Sequence, residues 1–168
     1  MAWNIPSLKN QKINIGFEIL SSLLSIGRNS RLIKVLKEEK DLVQSVYVDV
    51  NAGESGGIFI IEACCDDKNL KIVESKINLI VNEIVDYKNL SAKELRNAIN
   101  IVKSNYVFNL ETPTQLTSFF GNELLWGRRN SIDDLDNHLR YWNSLIHFKE
   151  IINYLAREKY TLIVSKDK

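Results

Sequence analysis

Residues 43–65 change the hydrophobic period of the chain, and that change limits what it can fold into. Val43-Gln44-Ser45-Val46-Tyr47-Val48-Asp49-Val50 has the β-branched content of a strand. Ala52-Gly53-Glu54-Ser55-Gly56-Gly57 reads as a turn, and Ile58–Cys65 as a second strand. Two strands joined by a short glycine-rich turn predict an antiparallel hairpin. A hairpin alone is marginal in water, so it must bury one face against other elements.

Those elements are helices. Ile13, Phe17, Leu20 and Leu24 recur at helical spacing, predicting a helix from Gln11 to Ser25 with Gly27 at its C-terminal cap. A second helix is expected from Ser30 to Lys40, with Leu32, Val35 and Leu36 inward. Beyond the hairpin, Leu70, Val73, Ile77, Ile80 and Ile84 mark a helix from Asp67 to Tyr87, with Asp66 and Asp67 at its N-terminus. Ser91 and Glu94 form a capping box before Leu95, Ala98, Ile99 and Val102. Thr112-Pro113-Thr114-Gln115 starts another helix, with Leu116, Phe119, Phe120, Leu124 and Leu125 inward and a stop near Gly127. Ser131 and Ser144 each open a shorter helix. Ala2–Ile5 reads as a strand end stopped by Pro6, and Tyr160–Val164 as a closing strand. One-sided helices around a hairpin predict a two-layer α+β fold, mostly antiparallel, with helices on one face of the sheet.

The 168 residues fit one domain, 1–168, with no repeat or proline- and glycine-rich linker to divide it. Net charge is +1 and the charges are scattered, which argues against a nucleic-acid grip. No apolar run approaches a membrane span, and residues 1–6 lack the form of a signal peptide, so a soluble protein is expected. Cys64 and Cys65 are adjacent, and on a strand would point to opposite faces, so no disulfide is expected. Unpaired thiols suit reducing surroundings such as the cytoplasm.

Catalytic chemistry is hard to assemble from these residues. The only histidines, His138 and His147, are nine apart, and no H-E-x-x-H or H-x-x-E-H occurs. Catalytic zinc needs three protein ligands, so no metal site is expected here. No G-x-S-x-G elbow is present. The cysteines precede Asp66 and Asp67, the wrong charge for a reactive thiolate. Asp133 and Asp134 suit the first turn of a helix. Gly53–Gly57 joins strands rather than opening a helix, so it is no phosphate loop. Arg128 and Arg129 beside Trp126 read as a solvated helix end rather than an anion site.

Several ordered segments resemble the C-terminal-type, non-catalytic domain of the insulinase/pitrilysin zinc peptidases, in the branch that includes the mitochondrial processing peptidase. They are Phe17–Leu32 with its Ser30-Arg31-Leu32 helix start, Leu36–Tyr47, Gly57-Ile58-Phe59-Ile60, Leu110-Glu111-Thr112-Pro113 and Leu124-Leu125-Trp126-Gly127-Arg128. The resemblance implies half of a substrate chamber and a chain that is one piece of a longer protein. Its partner would be a catalytic domain, upstream in the same chain or on a separate subunit. That domain would hold the zinc, whose bound water attacks a peptide substrate. An apolar face should remain for the other half to cover. A homodimer is a further arrangement open to such a domain. In active members the partner half contributes an arginine and, seven positions later, a tyrosine that hold substrate. Lys37 and Gln44 stand there, so the implied substrate contacts lose the guanidinium fork and the phenol. The same departures suit a proteolytically inactive scaffold of this superfamily.

Overall fold

The computed structural model describes residues 1–7, 9–86, 89–125, 132–157 and 160–165. The hairpin forms as expected: β2 (Ser45–Ala52) pairs antiparallel with β3 (Gly57–Cys64), Val48 opposite Ile61. β1 (Ala2–Ile5) joins the other side of β3, Trp3 opposite Phe59, giving the order β1-β3-β2. Alternation decides the faces. Trp3, Ile5, Val46, Val48, Phe59 and Ile61 are buried, whereas Asn4, Tyr47, Asp49, Ile58 and Glu62 are exposed. The helices cover the first face and the second stays open, which is the predicted two-layer arrangement.

α1 (Gln11–Ser25) lies at the centre, its Ile15, Ile19, Leu20 and Leu24 fully buried. Asn10 caps its start by accepting from the Ile13 N–H, and Gly27 follows its end with φ 88°. A left-handed residue there closes a helix, and glycine adopts it without steric cost. α2 (Leu70–Val85), α3 (Ala92–Phe108), α5 (Ile132–Trp142) and α6 (Leu145–Arg157) complete the layer. The predicted inward residues of α2 and α3 are buried, apart from a half-buried Leu70. At Gly16 a Cβ would stand 2.5 Å from the Ile151 side chain and 3.1 Å from the Trp142 ring. α1 and α6 therefore meet through a position with no side chain.

Three serines in α1 have different tasks. Ser21 Oγ donates to the Val48 carbonyl at 2.8 Å, and the Val48 N–H donates to Ser25 Oγ at 3.0 Å. Val48 lies on β2, the edge strand, so two edge groups that would otherwise seek another strand are satisfied by a helix. Ser22 Oγ, 1% exposed, has no hydrogen-bond partner.

Four expectations are corrected. The helix from Ser30 to Lys40 is a π-helical stretch over Ile33–Glu38, in which the Glu39 N–H reaches the Lys34 carbonyl. The wider turn keeps both Leu32 and Leu36 fully buried. The aspartates at 66 and 67 do not cap α2: a 3-10 turn, Asp67–Asn69, comes first and Asp66 makes no side-chain cap. α4 (Pro113–Leu125) starts at its proline as predicted, with Thr112 Oγ1 accepting from the Gln115 N–H. Yet it does not bury its stripe. Leu116 and Phe119 are half-buried, while Phe120, Leu124 and Leu125 are 38%, 67% and 76% exposed. Periodicity identifies an apolar stripe without saying what it packs against. Finally, Tyr160–Val164 is no strand. Among the described residues Thr161 forms an isolated bridge with Ala2. Ser131, Trp126, Gly127, Arg128 and Arg129 lie outside the described residues, as does the Asp133 side chain.

The serines predict opposite signs within one helix turn. Ser21→Ala leaves a buried carbonyl unpaired and should cost about 1–3 kcal/mol, as should Ser25→Ala through the amide. Ser22→Ala removes a buried hydroxyl with no partner and should be neutral or stabilising by up to ~1 kcal/mol. Urea unfolding of the three variants checks this, and a loss at Ser22 matching that at Ser21 contradicts it.

Candidate functional site

The open face of the sheet gathers most of the polar chemistry near the expected substrate contacts. The β2–β3 register places Tyr47 opposite Glu62 and Ser45 opposite Cys64. Tyr47 Oη donates to Glu62 Oε2 at 2.5 Å, and the carboxylate holds the phenol's pKa above its ordinary value. Gln44 is exposed where β2 begins. Its N–H donates to the Cys64 carbonyl at 2.8 Å, and its Oε1 accepts from the Cys64 thiol at 3.5 Å.

Lys37 is exposed on the π-helical stretch. The end of that stretch is closed by two bonds: the Asp41 N–H to the Lys37 carbonyl at 3.2 Å, and the Leu42 N–H to the Leu36 carbonyl at 2.8 Å. Asp41 turns the chain at φ 46°, in the left-handed region. Aspartate tolerates that region better than most non-glycine residues. This turn returns the backbone from Lys37 toward Gln44, and no hydrogen bond joins the two side chains among the described residues. π-Helical stretches occur often at functional sites.

The arginine of Ser30-Arg31-Leu32 has a different role. Arg31 forks onto Glu94, Nε to Oε1 at 2.6 Å and Nη2 to Oε2 at 2.8 Å, and Nη2 also donates to the Asn89 carbonyl. Both side chains are mostly buried. Sequence reasoning assigned Glu94 to the cap of α3. Ser91 Oγ does accept from the Glu94 N–H, but the Glu94 carboxylate turns to Arg31 instead. Its signal in the sequence is local only, because the partner lies 63 residues away.

Neither histidine joins a metal site. His147 stacks on Tyr141 at 4.1 Å, with Nδ1 3.0 Å from the Tyr141 carbonyl, and Lys12 Nζ lies 3.6 Å from the Tyr141 ring centre. His138 is partly buried, and desolvation lowers its pKa from the ordinary 6.5, with Asp134 raising it and Lys12 lowering it. Among the described residues no three His, Cys, Asp or Glu side chains come together to hold a metal ion. Cys64 and Cys65 are both free, the first exposed and the second half-buried. Among the described residues no helix is long and apolar enough to cross a membrane.

Two outcomes follow. Arg31→Lys keeps the charge but loses the fork, and should cost roughly 1–2 kcal/mol in thermal or urea unfolding; an unchanged midpoint contradicts the assignment. The lowered pKa of His138 means the unfolded chain takes up that proton first, so the contribution falls as pH drops below 6.5. His138→Gln should flatten the stability difference between pH about 7.5 and about 5.5. A slope identical to that of the parent chain counts against it.

Comparison with known proteins agrees with this geometry. The family model described as the peptidase M16 inactive domain matches residues 1–102. An uncharacterized zinc protease of Bacillus subtilis is 28% identical over 144 residues, covering 85% of this chain and 34% of that protein. Mitochondrial-processing peptidase subunit alpha-2 of Dictyostelium discoideum is 26% identical over 135 residues, covering 75% of this chain and 29% of that protein. This chain thus spans about a third of the length of such relatives. Among solved structures, a protease from Helicobacter pylori shares the fold with a TM-score of 0.75 at 17% identity, over 90% of this chain and 36% of that one. The peptidase M16 inactive domain from Pseudomonas fluorescens does so with a TM-score of 0.70 at 15% identity, over 90% and 36%. The family is described as an inactive domain. The resemblance carried by Phe17–Leu32 and the segments after it is borne out: the chain belongs to the peptidase M16 inactive-domain family, whose relatives are zinc proteases.

Proposed function

We propose that this chain is the non-catalytic half of a peptide chamber, one domain of a longer M16 assembly whose zinc-bearing half is supplied by another domain. The observation that carries the reading is the inactive-domain match over residues 1–102, on a sheet with one face left open. The uncovered stripe of α4, with Phe120, Leu124 and Leu125 outward and Val107 and Phe108 also exposed, suits a second domain. Isolated domains rarely leave so many large apolar side chains in water without an interaction to make.

In this reading the substrate peptide lies against the open face near the start of β2. Lys37 attracts a carbonyl or carboxylate of the peptide as a point charge. Gln44 donates through its amide, and Tyr47 with Glu62 forms a fixed polar wall. The domain binds and orients, and the chemistry belongs to the other half.

A second reading, a proteolytically inactive scaffold, is favoured by one observation. The Gln44 carbonyl is already occupied by the Cys64 thiol, so part of its hydrogen-bonding capacity is spent within the sheet. The two readings separate in the assembled protein. Lys37→Ala with Gln44→Ala should lower kcat/KM for peptide about tenfold, mostly through KM, as expected for lost uniform binding. Unchanged kinetics would remove both residues from the substrate site. An assembly whose partner half lacks a zinc motif and cleaves no peptide supports the scaffold.

A further inference from the structure

β2 is an edge strand, and the serines of α1 meet only part of its edge. On an antiparallel edge, both backbone groups of every second residue point outward. At Val48 the two outward groups are taken by Ser21 and Ser25. Val50, two residues on, presents its own pair in the same direction. Its N–H turns onto its neighbour, donating to Asp49 Oδ1 at 2.9 Å. Its carbonyl faces outward with no serine to meet it. A cavity of about 300 Å³ opens there, between β2, α1 and α3. α3 lines it with one helix face, Val102, Asn105, Tyr106 and Asn109, residues three and four apart.

Donor and acceptor accounting defines what the cavity fits. Ser21 Oγ donates to the Val48 carbonyl, Tyr106 Oη donates to Glu18 Oε1 at 3.1 Å, and the Val50 N–H donates to Asp49. With those donors spent, the same groups offer the cavity lone pairs. Glu18 from α1 and Asp49 from β2 add two carboxylates, and among the described residues no lysine or arginine lines the space. The apolar part of the lining is Val50, Val102 and Ile26, the last 42% exposed. A second cavity of about 270 Å³, beside Arg31, is different: its cations pair within it, Arg31 with Glu94 and Lys34 with Glu39. Acceptors without a cation distinguish the cavity at Val50.

We propose that this cavity binds an alkylammonium or alkylguanidinium group, its cation on Asp49, Glu18 and the Val50 carbonyl, and its methylene stem along Ile26, Val50 and Val102. Such a group supplies only donors, which is what a lining rich in lone pairs lacks. Its stem is apolar and its head charged, and long cationic side chains divide in the same way between apolar surface and polar partners. Two surface carboxylates alone would attract counter-ions of any shape. The strand carbonyl, the phenol oxygen and the apolar lining add the shape that selects a stem with a cationic end. Free amines and the arginine or lysine side chains of a peptide share this chemistry. Neither Lys37 nor Gln44 lines the cavity, so the site stands or falls apart from the peptide-chamber reading.

The test titrates the full chain and follows its backbone amides by NMR. Agmatine is the free cationic probe, and a capped Ala-Ala-Arg-Ala-Ala peptide presents the same guanidinium on a chain. Butanol, a stem without charge, and glutarate, a stem with the opposite charge, are the controls. Agmatine, the peptide or both should shift the Val50, Asn105 and Asn109 amides saturably at millimolar concentration, and the stronger of the two tells a free amine from a side chain. Asp49→Asn keeps an acceptor for the Val50 N–H but loses the charge, and should raise Kd roughly three- to fivefold. Asn105→Trp fills the cavity and should abolish the shifts. The absence of a saturable shift with either cation overturns the proposal, as do equal shifts with butanol or glutarate, or an unchanged Kd in Asp49→Asn. The Tm of each variant reports its folding, and if Asn105→Trp does not fold, Asp49→Asn decides.

Discussion

The buried contact between α1 and the backbone of Val48 governs this fold. A helix placed centrally against a sheet edge meets peptide groups that no strand will satisfy, and an unpaired peptide group away from water is costly. Ser21 and Ser25 meet that demand one turn apart, the first donating to the Val48 carbonyl and the second accepting from its N–H. Once α1 is pinned there, the other helices have little freedom. α6 approaches at Gly16, where no side chain keeps it away, and α5 anchors through the Trp142 indole N–H on the Lys12 carbonyl. The aromatic layer of Phe17, Phe59, Trp3 and Tyr154 fills the space between sheet and helices.

The division between a packed interior and an open sheet face is the frame on which this inactive-domain family member is built. The inner face is spent on packing, so anything that touches a ligand must sit on the outer face or at its ends. Tyr47, Glu62, Cys64 and Gln44 are there, and the π-helical stretch with Lys37 ends beside the same corner of the chain. Arg31 is paired with Glu94 and ties the turn after α1 to α3.

Much of this was legible in the sequence because it is local. The α1 boundaries, the hairpin, the Ser91 cap and the inward faces of α2 and α3 follow from period and capping chemistry. What escaped depends on partners distant in sequence. The Glu94 carboxylate looked like half of a capping box until Arg31 competed for it. Leu124 and Leu125 looked like part of a covered stripe, yet they are 67% and 76% exposed. The Tyr160–Val164 strand was expected, but a strand needs an adjacent backbone, and among the described residues the pairing there is a single bridge to Ala2. The expected contacts Lys37 and Gln44 came from the resemblance alone; their spacing carries no chemistry of its own.

The serine bonds at Val48 also bear on how this protein behaves when crowded. Stacking of copies edge to edge, the first step toward cross-β assembly, needs unclaimed backbone groups on both outer strands of the sheet. Here both outward backbone groups of Val48, midway along one margin, are taken by hydroxyl groups from within the same molecule, which disfavours edge-to-edge pairing through the middle of β2. Two polar side chains inside a helix therefore also act as a guard against fibrils, and their loss would show in colloidal behaviour as well as in folding.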